Sequence, residues 1–197
     1  PRVKPADGVA VGGTACAIYK ATPSGWTAVS FLYQVSFTSG TGPPAEGDTL
    51  THGAVTPTIR RVVLESGSWA GSATGRLIIN LPAGGSGHFA AGAATSPGCT
   101  YTLSGVETQI SIAPGGQYDI LSHNFAGQSS SRRLYGCGGT DKPFEFDGTI
   151  YVPINIGTSN APTQIVIHRE HLMFGVASSV IHSGPGLPYQ FNAAVGG

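Results

Sequence analysis

The chain has 197 residues, with 30 Gly, 14 Pro, 10% charged side chains and equal numbers of Lys+Arg and Asp+Glu. Zero formal charge without a basic stripe speaks against electrostatic recognition of nucleic acid, since Arg60-Arg61 and Arg132-Arg133 are isolated pairs. No apolar run approaches the ~18 residues of a membrane-spanning helix, and Cys16, Cys99 and Cys137 lack a CxxC spacing, so buried thiols made in a reducing cytosol fit better than a disulfide framework.

The length admits one domain or two small ones with a real core. Gly is about twice its ~7% average usage, and interspersed Val, Ile, Thr, Phe and Tyr argue for an all-β fold and against disorder. Charge is well below the ~25% of an ordinary soluble domain. A surface so poor in charge is either solvated by neutral polar groups or covered by partners, and the assembly reading is preferred because interface cores are depleted of charge.

In chain order, residues 1–12 form an extended lead-in. The start on Pro1, not Met, reads as the interior of a longer protein, and no apolar stretch follows to make a signal peptide. Residues 15–21 read as a strand. Residues 26–38 read as one long strand or two with a bend, with Val29, Phe31, Tyr33, Val35 and Phe37 sharing a face by period 2. Residues 58–65 alternate Ile59, Arg61, Val63 and Glu65 against Arg60, Val62 and Leu64. Further strands are expected at 48–51, 75–81, 101–103 and 109–112, giving a small β-barrel or sandwich module over 1–115. Pro114-Gly115-Gly116 marks the junction.

Residues 116–197 read as a second region of about eight short strands separated by turns. Arg132 to Phe191 is its organising stretch. Asp147-Gly148, between Phe144-Glu145-Phe146 and Ile150-Tyr151-Val152, predicts a type I′ hairpin turn, because that turn needs positive φ. No helix with a sustained 3.6 period is expected.

Candidate chemistry yields to structural roles. His168-Arg169-Glu170-His171 is the nearest approach to a metal motif. In a strand its histidines point to opposite faces, at a hairpin turn both are exposed, and three or four convergent ligands are missing. Glu145 and Asp147 have the residue types of a glycosidase pair, but Asp147 heads a turn where its side chain caps backbone N–H groups. Cys137, between two glycines, lacks a His and an acid tied to it by spacing and reads as a packed small hydrophobe. No catalytic, cofactor or metal site is expected. Trp26, Trp69, Tyr135, Phe144, Phe146 and Tyr189 are expected as packing or interface anchors.

These motifs carry a resemblance. Arg133-Leu134-Tyr135-Gly136-Cys137-Gly138-Gly139 with Phe144-Glu145-Phe146-Asp147-Gly148-Thr149 resembles the propeller blades of nozzle-like tail proteins of short-tailed phages. Gln164-Ile165-Val166-Ile167-His168 with His171-Leu172-Met173-Phe174, and His182-Ser183-Gly184 with Pro188-Tyr189, are similar to the hairpin and turn that follow. Gly12-Gly13-Thr14-Ala15-Cys16, Gly25-Trp26 and Gly67-Ser68-Trp69-Ala70-Gly71 extend the likeness toward the N-terminus. The Phe146-Asp147-Gly148-Thr149 turn also resembles a sialidase Asp-box without its leading Ser. The resemblance implies an all-β virion protein of the tail, made in the host cytoplasm, with incomplete antiparallel β-propeller-like blades. It further implies a ring of identical copies around the DNA-ejection channel, contacts with neighbouring tail or portal/adaptor proteins, and genomic DNA passing without sequence-specific contact. A capsid decoration protein is one alternative. Another is a host-surface carbohydrate-binding or cleaving tail domain using Trp26, Trp69, Glu145 and Asp147.

Overall fold

The computed structural model describes residues 3–6 (backbone only), 17–81, 88–125, 127 and 131–192. The described residues are all-β, in antiparallel sheets, none of which closes on itself. The chain divides into two compact units: Leu32–Ile110, and Pro1–Phe31 together with Ser111–Gly197. The first 31 residues group with the C-terminal part. No described helix is long and apolar enough to cross a membrane.

The Leu32–Ile110 unit is one six-stranded sheet. Its strands are β4 (Tyr33–Gly40), β5 (Thr58–Ser66), β6 (Ala73–Asn80), β7 (Gly92–Ser96), β8 (Cys99–Leu103) and β9 (Thr108–Gln109), in the order β5-β6-β4-β8-β7 with β9 also on β4. Val35 and Phe37 of β4, Leu77 and Ile79 of β6, and Tyr101 and Leu103 of β8 share one core with Leu50 and Ile59. The expected alternation along β5 holds only in part. A register shift between Ile59 and Arg61 inserts an extra residue, so Ile59, Val62 and Leu64 join the same core. A one-residue slip moves every later side chain to the other face, and a bulge does this locally. Arg76 lies buried opposite Val63, with its Nε 2.8 Å from Glu65 Oε1 and its Nη1 donating to Gln34 Oε1 at 2.6 Å.

The other unit contains three sheets of successive hairpins. β1 (Val3–Ala6), β2 (Ala17–Thr22) and β3 (Gly25–Ala28) form the first. β10 (Asp119–His123), β11 (Arg133–Cys137), β12 (Phe144–Phe146) and β13 (Tyr151–Pro153) form the second, in chain order. β14 (Gln164–His168), β15 (His171–Val176) and β16 (Ser179–His182) form the third. The long strand allowed for residues 26–38 is two strands, β3 and β4, which belong to different units. Phe31 accordingly leaves the Val35–Phe37 face and packs edge-on against Tyr151, with ring centroids 5.2 Å apart.

Tyr135 and Cys137 of β11 share a core with Ile165 of β14, Leu172, Phe174 and Val176 of β15, and Ile154 and Ile156. β14 packs against β10 and β11, so the four- and three-stranded sheets lie together through it. Lys20 Nζ donates to Gly148 O at 2.9 Å, tying the first sheet to the β12–β13 turn.

Candidate functional site

The stretch around Glu145 gathers most of the residues singled out from sequence. All three β12 residues are buried, so both faces of this short strand are covered. Phe144 stacks on Tyr151 at 4.9 Å, and its ring crosses Gly136 of β11, where a Cβ would lie 2.6 Å from Phe144 Cζ. Gly136 is therefore required by close approach of a ring and not by its own φ. Phe146 and Tyr135 are fully buried, so these aromatics are core residues of the unit and not surface anchors.

Glu145 stands opposite Tyr135 in the β11–β12 register and is 2% exposed. Its Oε1 lies 3.3 Å from Arg133 Nε, and its Oε2 accepts the Tyr189 hydroxyl. A buried carboxylate is tolerable only when paired in this way. Asp147 Oδ1 accepts the N–H groups of Thr149 at 2.7 Å and Ile150 at 2.8 Å. The expected type I′ turn is not formed: Gly148 alone has positive φ (98°), and the Asp147 side chain closes a wider four-residue connection. Glu145 and Asp147 thus hold two different local structures.

The histidine motif lies at the β14–β15 hairpin. His168 and His171 are cross-strand partners flanking Arg169 (φ 47°) and Glu170 (φ 64°). His168 is exposed, whereas His171 is half-buried, with Nδ1 2.6 Å from Ser183 O. His182 Nδ1 lies 3.2 Å from the same oxygen, and the two rings are 5.2 Å apart, edge to face. Two imidazoles against one carbonyl each use Nδ1 as donor. His123 Nε2 lies 3.1 Å from Glu170 Oε2. Among the described residues no group of three or more His, Cys, Asp or Glu is placed to hold a metal.

Ser183 is fully buried and anchors the segment that carries Tyr189 to Glu145. Its N–H donates to Leu172 O at 2.9 Å, and its hydroxyl accepts from Leu172 N–H and donates to Gly184 O. Cys137 is fully buried, and burial, helped by the charge of Asp119, pushes its thiol up to about 12. This disfavours the thiolate, the reactive form, at neutral pH. Cys16 and the Gly12–Cys16 motif lie outside the described residues.

The two tryptophans belong to different units. Trp69 stacks on Phe37 at 5.6 Å within the Leu32–Ile110 core. Trp26 is 52% exposed on β3, a strand whose four residues are all exposed. The buried clasp of Glu107 was missed from sequence. Its carboxylate receives the N–H groups of His88 and Phe89, at 3.0 Å each, and lies 2.9 Å from His88 Nδ1. Partners nearly twenty residues apart across turns leave no periodic signal. The uncharged stretch that holds β16 did leave one: no Asp, Glu, Lys or Arg follows Glu170.

Neither a family model, nor a curated protein, nor a solved structure matches the chain.

Proposed function

We propose that this chain is a bacteriophage virion structural protein, a tail or nozzle component arranged in a symmetric ring around the DNA-ejection channel. The observation that carries the reading is the pair of successive antiparallel meanders, β10–β13 and β14–β16, which pack together through β14 and follow one another in chain order. In this reading they are propeller-like blades, and Leu32–Ile110 is the small barrel- or sandwich-like module. The role is mechanical. Rigid β modules shape and seal a conduit, neighbouring tail or portal/adaptor proteins bind its ends, and DNA passes without base-specific contact. The structural use of Cys137, Glu145 and Asp147 supports a non-enzymatic role. Low surface charge suits subunit packing and a lumen to which DNA does not adhere.

Sedimentation of the purified chain and cryo-electron microscopy of the virion test the proposal. The expected results are a closed oligomer and density for the chain in the tail. A chain that stays monomeric at all concentrations and has no place in the virion would sink it. Density on the capsid shell would favour a decoration protein instead. Release of oligosaccharide from host polysaccharide, lost in Asp147→Asn, would favour a carbohydrate-cleaving domain.

A further inference from the structure

An open sheet edge invites another strand, and proteins usually blunt it with charge, proline or cover. Most described edges here are blunted. β1 holds Lys4 and Pro5, β5 holds Arg60, Arg61 and Glu65, β10 begins with Asp119, and β13 ends in Pro153. β7 is covered by Thr51, bonded in both directions to Thr95. β14 packs against β10 and β11, and the Asp119 carboxylate accepts Ile165 N–H. Leaving aside β9 in the other unit, whose two residues are too short to seat an added strand, two edges remain, β3 (Gly25–Ala28) and β16 (Ser179–His182), both in the same unit. Neither contains a charged residue or a proline, and among the described strands each pairs on one side only. They carry two of the most exposed large apolar side chains, Trp26 at 52% and Val180 at 68%.

Their backbone alternation can be read off. In antiparallel pairs the N–H and C=O of one residue point to the same neighbour, and those of the next residue point away. Val29 N–H donates to Ile18 O at 2.7 Å, so within β3 Trp26 and Ala28 direct their backbone groups outward. Ser183 N–H donates to Leu172 O at 2.9 Å, so within β16 Val180 and His182 do the same. Each edge therefore offers two outward residues, two apart in sequence.

We infer that β16 of one copy receives β3 of the next as an added antiparallel strand. This inference rests on the ring reading above and names its contact. Val180 opposite Ala28 of the next copy, and His182 opposite Trp26 of the next copy, matches every outward group, giving about four main-chain hydrogen bonds. Absence of charge on both strands means that no ion is desolvated without a partner when they meet. The contact joins two different surfaces, so it propagates head to tail and closes into a ring when the rotation permits. A contact of β16 with itself would stop at a dimer.

The test uses the full chain with Val180→Lys and Trp26→Lys, each placing a charge on one edge, and sedimentation velocity over a range of concentrations. Wild type is expected as a multi-subunit assembly, and each variant alone as a monomer. Mixed in equal amounts, the variants should form a one-to-one dimer and nothing larger, because only one intact β3–β16 contact is left. That dimer also shows that both variants fold; Val180→Glu and Trp26→Glu replace either lysine variant that does not. If both variants assemble like wild type, the edge contact is overturned while the ring reading stands. Dimers of Trp26→Lys alone would show β16 self-pairing and overturn it as well. A monomeric wild type would remove the ring reading itself.

Discussion

Glu107 offers the sharpest test of how the Leu32–Ile110 unit is held. Its side chain is fully buried, and burial by itself would raise its pKa. The hydrogen bonds from His88 and Phe89 outweigh that effect and hold it at about 2, against 4.5 for a free glutamate. At about 1.4 kcal/mol per pH unit, the ionised form is favoured in the folded unit by roughly 3 kcal/mol. Because the folded value is depressed, this stability is fully present above pH 4.5 and is lost as pH falls toward 2. Glu107→Gln keeps the shape but turns one acceptor oxygen into a donor that faces an N–H. The expected cost at pH 7 is roughly 2–4 kcal/mol. With a urea slope near 2 kcal/mol/M, the midpoint should fall by about 1–2 M. In a Trp26→Phe background, fluorescence reports Trp69 alone, which stacks within this unit's core. Urea curves at pH 7, 5 and 3 should show the difference between wild type and variant shrinking below pH 4.5. Equal midpoints at pH 7, or a difference that stays constant down to pH 3, would refute the clasp.

Gly75→Ala should be among the most damaging single changes. Its Cβ would lie 1.9 Å from the Val63 carbonyl oxygen, so β5 and β6 must separate at their second register shift. A loss above ~4 kcal/mol is expected, read as absence of cooperative unfolding by circular dichroism. Cys137, pushed up to about 12, should stay unlabelled by a thiol reagent at pH 8 in the native chain and react within minutes in urea. Arg169→Gly should raise stability by about 0.5–1 kcal/mol, seen as a higher Tm, because Arg169 and Glu170 hold left-handed φ in a two-residue turn that glycine fills without strain.

What the sequence disclosed was local chemistry. Alternating runs and turn residues located β5, β6, β12, β14 and β15, since period 2 and positive-φ turns act within a few residues. The turn role of Asp147 was legible for the same reason. The exchange of units between β3 and β4 was not, because no composition change marks Val29–Leu32. The bulge after Ile59 was hidden as well: Ile59-Arg60-Arg61-Val62 fits either register, and only packing of Val62 and Leu64 against the core of the unit decides. The pairing of Glu145 with Tyr189, forty-four residues away, was not legible either. Long-range pairing of polar side chains leaves no spacing to read.

These pairings explain how so few charges suffice. A chain rich in Gly and Pro turns leaves many backbone N–H groups outside regular ladders, and buried ones must find acceptors. The carboxylates supply them. Asp48 accepts Ala45 N–H, Asp119 accepts Ile165 N–H, Asp141 accepts Ala113 N–H, Asp147 accepts two, and Glu107 accepts two. Each of these acids fixes a loop and contributes little to a general surface field. Few charges are left for the rest of the surface, and β3 and β16 are strand edges that carry none. Selection for solubility in a lone protein would place lysines there. Their absence follows if those edges spend the life of the protein paired.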